Sequence, residues 1–411
     1  MSAQFWVSIA VILVLVQVIL LSCNYLIMLE RKLCAWVQDR IGPNRVNFSF
    51  GVLPIKHHNW GLGQPLADGL ELFLKEDYTP PGVDRGLFML APLLAVAPAM
   101  IAWAVMPWGG YWQCDGFSLN LPLIGQWTVE PFVAHVTAAP LNIGVIYVLA
   151  IGSLAVYGVT IGGYASNNKY SFLGGLRATA QMLSYEIPMG LCVLIVILVS
   201  ATARADLIVL PQAAGVWNVI QHPLLAIIFF TCVLAECNRA PFDLAEAEQE
   251  LVGGFHTEYA SMKWALFFLG EYIHMITGAA FFALLFLGGW DPLPFVNEGL
   301  AVTGLGLVFV KFGIFFGKVV GLVALMMLVR WTLPRFRFDQ LMRLAWRSLI
   351  PVTLVLLLAA GVIVYLDLSP WWHLAANIAV FVGTMAVAPL IPQGPPVNRR
   401  VPLPGSRFNP A

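Results

Sequence analysis

Residues Trp6–Lys32 read WVSIAVILVLVQVILLSCNYLIMLERK, a run without a charge from Trp6 to Leu29 that ends on Glu30, Arg31 and Lys32. In hydrocarbon a backbone must satisfy its own N–H and C=O groups, and a helix rising about 1.5 Å per residue needs about 20 apolar residues to cross about 30 Å. Trp6–Leu29 is therefore a membrane span closed by a charged stop. Eight further segments read the same way: Gly86–Met106, Leu141–Gly163, Gln181–Ser200, His222–Ala235, Ala260–Leu287, Leu305–Val329, Ser348–Leu366 and Trp371–Ile391. The fifth is short at its polar end. The fold class is all-α, a polytopic transmembrane helical bundle of about nine spans. Residues 1–391 form the membrane domain, and 392–411 form a Pro-rich tail.

Composition agrees, with 59% hydrophobic and 11% charged residues against the roughly 25% charged residues of a soluble domain. The 22 basic and 22 acidic residues cancel, so no global field argues for nucleic acid as a partner. Their distribution is lopsided. If the spans alternate from an outside N-terminus, nineteen of the 22 basic residues fall in cytoplasmic segments or, for Lys263, at the cytoplasmic edge of a span. Arg204 alone falls in an outer loop, and Lys311 and Lys318 lie inside the seventh span. This positive-inside pattern sets the orientation and leaves four polar cytoplasmic segments: Glu30–Arg85, Tyr164–Ala180, Glu236–Tyr259 and Arg330–Arg347. The first span lacks the basic start and small-residue cleavage site of a removed signal. The six scattered cysteines imply no disulfide framework.

Redox carriers leave signatures that are absent here. There is no C-x-x-C pair, no grouped cysteines for an iron–sulfur cluster and no nucleotide-binding glycine motif. His274 is the one histidine deep in a span, so a bis-histidine haem is not indicated, and no metal site is expected. Ionisable groups within the membrane are costly and mark pathways. Glu186 lies in the fourth span, Glu236 at the inner end of the fifth, Glu271 about three turns into the sixth, and Lys311 and Lys318 in the seventh. Helix pairing or snorkelling would explain any one of them; three carboxylates with a lysine favour a proton path.

The segment AECNRAPFDLAEAEQELVGGFHTEY (Ala235–Tyr259) breaks the basic trend of its side, with Glu236, Asp243, Glu246, Glu248, Glu250 and Glu258 against Arg239. Pro241 disfavours helix at the residue before it, and Asp243 with Glu246 resembles a capping box. Glu246 and Glu250 share a helix face, where like charges repel and titrate together. Spacing alone slightly favours a solvated acidic helix. The apolar residues Phe242, Leu244, Leu251, Val252 and Phe255 argue for packing instead.

Three long segments carry a resemblance: RATAQMLSYEIPMG (Arg177–Gly190), the acidic segment itself and LPRFRFDQLMRLAW (Leu333–Trp346). They are similar to the H-subunit family of proton-pumping NADH:quinone oxidoreductase, respiratory complex I, equivalent to mitochondrial NADH dehydrogenase subunit 1. Glu30–Arg45 with its GPNR, QPLADG (Gln64–Gly69), FFLGEYIHMIT (Phe267–Thr277) and LFLGGW (Leu285–Trp290) extend the likeness from the first span to the eighth. The resemblance implies a subunit at the junction of the membrane and peripheral arms that helps to form the quinone chamber. Glu30, Arg31, Arg40, Arg45, Gln64 and Asp68 match the entrance and floor of that chamber. Arg239, Phe242 and Asp243 match its acidic-loop side. Glu186, Glu236, Glu246, Glu248, Glu250, Glu258 and Glu271, with Lys318, match the proton relay toward the antiporter-like subunits. It further implies quinone as substrate, no cofactor bound by this chain, and FMN and iron–sulfur clusters in partner subunits. Those partners are the subunit with the terminal iron–sulfur cluster, the quinone-site subunit and small membrane subunits, in lipid. The place implied is a bacterial inner membrane, N-terminus outside and C-terminus cytoplasmic.

The chain departs from this pattern at Val46–Gly63, an insert with Lys56, His57 and His58; at Glu71, where a lysine is common; at the additional Lys311; and in its ninth span and tail. The insert borders the quinone entrance, so its deletion is expected to alter quinone affinity more than assembly. Competing readings are the membrane anchor of an energy-converting hydrogenase and a secondary ion transporter. The GPNR, QPLADG and LPRFRFDQL motifs oppose the first, and the lack of internal repeats opposes the second.

Overall fold

The computed structural model describes residues 3–46, 61–121, 125–244, 252–293, 302–387 and 389. Most of the Val46–Gly63 insert, the acids Glu246, Glu248 and Glu250, and the Pro-rich tail therefore lie outside the described residues.

Helix α1 (Ala3–Val37) runs the length of the first span and on past Glu30. A short α2 (Gln64–Leu74) precedes α3 (Arg85–Ala102), whose start is capped by Asp84, its carboxylate accepting from the amides of Gly86 and Leu87. Beyond α3 the long outer loop is not wholly irregular. It folds into β1 (Tyr111–Cys114), β2 (Phe117–Leu121), β3 (Gly125–Val129) and β4 (Phe132–His135). Strand β1 pairs antiparallel with β4, and β2 with β3 as a hairpin. Short runs such as YWQC and GQWTV, rich in aromatic and β-branched residues, carry the signal; the all-α expectation passes over them.

Next come α4 (Gly144–Ala165) and α5 (Lys169–Ser200), which starts three turns earlier than its apolar run because the Asn168 side chain caps it on the Tyr170 amide at 2.9 Å. Two outer helices, α6 (Ala205–Ala214) and α7 (Asn218–Gln221), lead into α8 (Pro223–Glu236). Then follow α9 (Ser261–Phe286), a strand β5 (Val302–Thr303) parallel to β1, and α10 (Leu305–Thr332). Helix α11 (Phe338–Arg343) passes through a π turn at Leu344–Leu349 into α12 (Ile350–Tyr365), and α13 is Trp371–Val387.

Among the described residues, seven helices are long and apolar enough to cross a membrane, with α11 to α12 counted as one; α8 is a shorter apolar helix of 14 residues, and 17 residues of α13 are described. Each of the nine expected spans thus falls on a helix, the fifth being the short one. At about 1.5 Å per residue, α8 falls short of the hydrocarbon thickness, and its outer end is met by α13. The Leu225 amide donates to Asn377 Oδ1 at 3.3 Å, and the rings of His222 and His373 stand 4.7 Å apart beside it. No local pattern in the chain signals this histidine pair.

The N-terminal end of α1 reaches the strands, where the Gln4 side chain bonds both the carbonyl (3.1 Å) and the amide (2.9 Å) of His135. There Arg204 clamps Asp206 with two bonds of 2.7 Å, and the Tyr111 hydroxyl donates to the same carboxylate at 2.7 Å. Burial pushes the Asp206 carboxyl up, but the bonds from Arg204 and Tyr111 outweigh it and hold the group below the usual carboxylate range. The Tyr111 phenol is pushed up to about 12 by burial and by Asp206. At the other end of α1, Glu30 meets Arg330 at the end of α10.

One apolar core runs through α1, α5, α8, α9, α10 and α12, from Leu15 to Ala360. Helices α3 and α4 approach most closely at Gly158, where an added Cβ would stand 2.6 Å from the Ala95 nitrogen.

Candidate functional site at a buried arginine

After α8 the chain turns sharply. Asn238 takes a left-handed conformation (φ 50°), which asparagine tolerates better than most residues, and Arg239 is thereby turned back into the bundle. Only 6% of Arg239 is exposed. Its Nη1 donates to both Glu30 oxygens at 3.2 and 3.3 Å, and its Nε lies 2.5 Å from Glu271. The guanidinium stacks 4.5 Å from the centre of the Tyr272 ring. Glu30 also accepts from the Tyr272 hydroxyl and from Arg330. Among the described residues, two cations and two carboxylates from α1, the acidic segment, α9 and α10 are thus joined. Isolated charges would be costly at such depth; a planar five-donor guanidinium can serve two acceptors at once.

Beside this cluster lies a cavity of about 240 Å³, walled on its polar side by Glu236, Cys237, Asn238, Glu271, His274 and Arg330 and on the other by Phe255, Trp264, Phe267 and Phe268. A second space of about 30 Å³ shares Glu236 and His274 with it and continues past Gly152, Thr277 and Gly278. That volume is enough for a water molecule or two. Beyond Gly152, the Ser153 hydroxyl donates to Glu186, which lies within electrostatic reach of Glu236. Glu271, Glu236 and Glu186 therefore form an ordered series, as the intramembrane positions suggest.

Other expected residues separate. Phe242 does not line the cavity: it is 2% exposed and packs edge-on to Tyr185 and against Phe336, both at 5.5 Å. Asp243 pairs with Arg335 at 2.8 Å. Arg31 pairs with Asp68 at 2.7 Å, and Gln64 donates to Asp68 at 2.7 Å, so α1 and α2 are joined on the basic side. Glu30 and Arg31 are neighbours in sequence yet face apart, because successive helical residues differ by about 100°. Arg40 bonds to Gln38 at the surface, and Arg45 is exposed. Glu258 sits at the start of α5, accepting from Asn168 at 2.7 Å.

Lys318 is also apart. Its ammonium donates to the carbonyls of Leu287 (2.6 Å), Gly289 (3.0 Å) and Asp291, just past the C-terminal end of α9. A cation there satisfies carbonyls that have no partner in the helix. Lys318→Met leaves them bare, and at about 1–3 kcal/mol for each buried group so stranded the expected result is a fall of several degrees in the melting temperature of the purified complex. An unchanged melting curve would discount the cap.

The three motif segments turn out to interlock. Gln181 donates to the carbonyls of Ala235 (2.8 Å) and Phe242 (2.7 Å), the Tyr185 hydroxyl to that of Leu341 (3.1 Å), and Trp346 Nε1 to Ser184 (3.2 Å). Much of what reads as functional sequence is the frame that holds Arg239. Sequence reasoning missed Tyr272, Arg330, His274 and Ser153 as members of the site; adjacency to Glu271 and the first basic residue after the seventh span were the available signals.

A family model described as NADH dehydrogenase matches residues 9–361. The NADH-quinone oxidoreductase H subunit 1 of Cytophaga hutchinsonii is 42% identical over 341 residues, 82% of this chain and 90% of that protein. Its counterpart in Geobacter sulfurreducens is 42% identical over 360 residues, 87% of this chain and 95% of the relative. The H subunit of Leptospira biflexa is 42% identical over 353 residues, covering 85% and 93%. With the matched region taking in every residue of the Arg239 cluster, the chain belongs to the NADH dehydrogenase family.

Proposed function

We propose that this chain, as a membrane subunit of NADH-quinone oxidoreductase, helps to form the quinone chamber and couples quinone reduction to proton translocation. The observation that carries this reading is the Arg239 bridge between Glu30 and Glu271 beside a cavity lined by Glu271 and Glu236, with Glu186 within electrostatic reach of Glu236.

Reducing a quinone to a quinol consumes two electrons and two protons. The electrons come from FMN and iron–sulfur clusters held by partner subunits. This chain supplies protonatable groups and fixed charge. When Glu271 takes up a proton, Arg239 loses an anionic partner and the cluster becomes more positive by one charge. A carboxyl group further along answers that charge by releasing its proton, and Glu271 then passes its own proton on toward Glu236 and Glu186. Glu246, Glu248, Glu250 and Glu258 extend the path on the basic side. Arg31, Gln64, Asp68, Arg40 and Arg45 form the entrance and floor, while Phe242 and Asp243 hold the loop that carries Arg239. The basic side faces the cytoplasm of a bacterial cell, against the subunits with the terminal iron–sulfur cluster and the quinone site, and small membrane subunits pack on the lipid side.

Glu186→Gln and Glu236→Gln each keep the shape and remove the proton site. In membrane vesicles both are expected to lower NADH:quinone turnover and proton pumping several-fold, while NADH:ferricyanide reduction, which bypasses quinone, is retained. Unchanged turnover together with unchanged protons per electron in both variants would overturn the relay.

A further inference from the structure

We propose that His274 carries protons between Glu271 and Glu236, as a member of the relay itself. This rests on the reading of the carboxylate series given above. His274 sits about midway along α9, three residues after Glu271 and three before Thr277, so it adjoins both on the helix surface. It lines both the 240 Å³ cavity that holds Glu271 and the 30 Å³ space that leads on toward Gly152, and Glu236 lines both as well. Among the described residues, Glu236 and His274 are the only polar side chains common to the two.

The ring is prepared for acid–base work. One nitrogen is hydrogen-bonded to the Ala95 backbone on α3, and Nε2 is buried with no partner. A ring that gives its Nδ1 proton to a backbone carbonyl has its lone pair on Nε2. A buried acceptor at mid-membrane without a partner is costly, and packing gives no reason to keep it. The titratable and charged groups around the ring are Glu271 on α9, Glu236 on α8, Cys237 and His256 in the segment that follows, and Arg330 on α10, with Arg239 behind Glu271 and Glu186 on α5 behind Glu236.

The step balances as a proton transfer in two parts. The Glu271 carboxyl O–H breaks as the Nε2–H bond forms, which leaves a carboxylate and an imidazolium. The Nε2–H bond then breaks as an O–H bond forms on Glu236, directly or through water in the smaller space, and the ring returns to neutral. Nδ1 keeps its bond to Ala95 throughout.

His274→Asn in the intact complex retains an amide donor for the Ala95 carbonyl but cannot take up a proton. The expected result is at least a fivefold loss of NADH:quinone turnover, a larger solvent deuterium isotope effect and an altered pH profile of turnover, with ferricyanide reduction retained. His274→Gln repeats the test if the asparagine variant fails to assemble. Turnover within twofold of the parent, or a loss that leaves the isotope effect and pH profile unchanged, would overturn the inference. If Glu236→Gln lowers turnover in the same assay, such a result removes His274 and leaves the carboxylate relay standing. If Glu236→Gln and Glu186→Gln are also silent, the relay reading itself fails.

Discussion

Arg239→Leu is expected to abolish coupled quinone reduction, with turnover more than tenfold down, and to lower the amount of assembled complex in the membrane. Removing the guanidinium takes a partner from both Glu30 and Glu271 while Arg330 and Tyr272 hold Glu30 in place. Breaking a buried ion pair from one side costs about 3–5 kcal/mol, because the remaining charge is neither solvated nor answered. Here one deletion strands charge on two helices. Lysine at 239 would restore a charge without the fork that spans both carboxylates, so Arg239→Lys should fall between the two. Because the penalty is stranded charge, the double variant Arg239→Leu, Glu271→Gln should recover part of the assembled complex. Native gels and ferricyanide activity measure assembly, and quinone turnover measures function. A leucine variant with normal amounts and normal turnover would show that the cluster is dispensable.

Gly158→Leu is expected to be nearly as severe, although it lies outside every charged motif. Even the first carbon of a side chain at 158 would stand 2.6 Å from the Ala95 nitrogen, 2.9 Å from its Cα and 3.0 Å from the Ala91 oxygen. These are backbone atoms of α3, so no side-chain rotation relieves the clash and the helices must part. Overpacking of this kind costs about 1–3 kcal/mol or more, and here it also displaces Ala95, which walls the large cavity and holds His274. Thermal unfolding of the purified complex should show a marked drop, and quinone turnover should fall with it. Gly190→Ala, in the neighbouring α5 with open space around its Cβ position, is the matched control and should behave as the parent. Equal melting temperatures for Gly158→Leu and the control would contradict the packing argument.

Hydropathy was a reliable guide where a helix alone decides the structure. The spans around α1, α3, α4 and α9 need about 20 apolar residues and have them, so length and composition suffice. It was weaker where neighbours complete an element. Helix α8 is short, as its apolar run shows, but its first turn bonds to Asn377, 152 residues away, and no local pattern reports such a partner. The acids of the site were legible because charge inside a membrane span is conspicuous. Their partners were not. Arg239, Phe242 and Asp243 stand within five residues and read as one group, yet they point to Glu271, the apolar core and Arg335 respectively. The cause is the left-handed turn at Asn238 and the irregular backbone after it, where side-chain direction follows no fixed period. Lys318 illustrates the converse. A lysine inside a span reads as a proton-path residue, while its bonds are those of a cap on the end of α9.

Glu30 and Arg330 are 300 residues apart, which bears on the order in which the protein is built. The carboxylate enters the membrane with the first helix made, Arg239 follows only after α8, and Arg330 at the end of α10. For most of synthesis, then, Glu30 awaits its partners, and the site closes near the end of biogenesis. A chain that ended before α10 would carry Glu30 without Arg330, so this ion pair is complete only when nearly the whole membrane domain has been made.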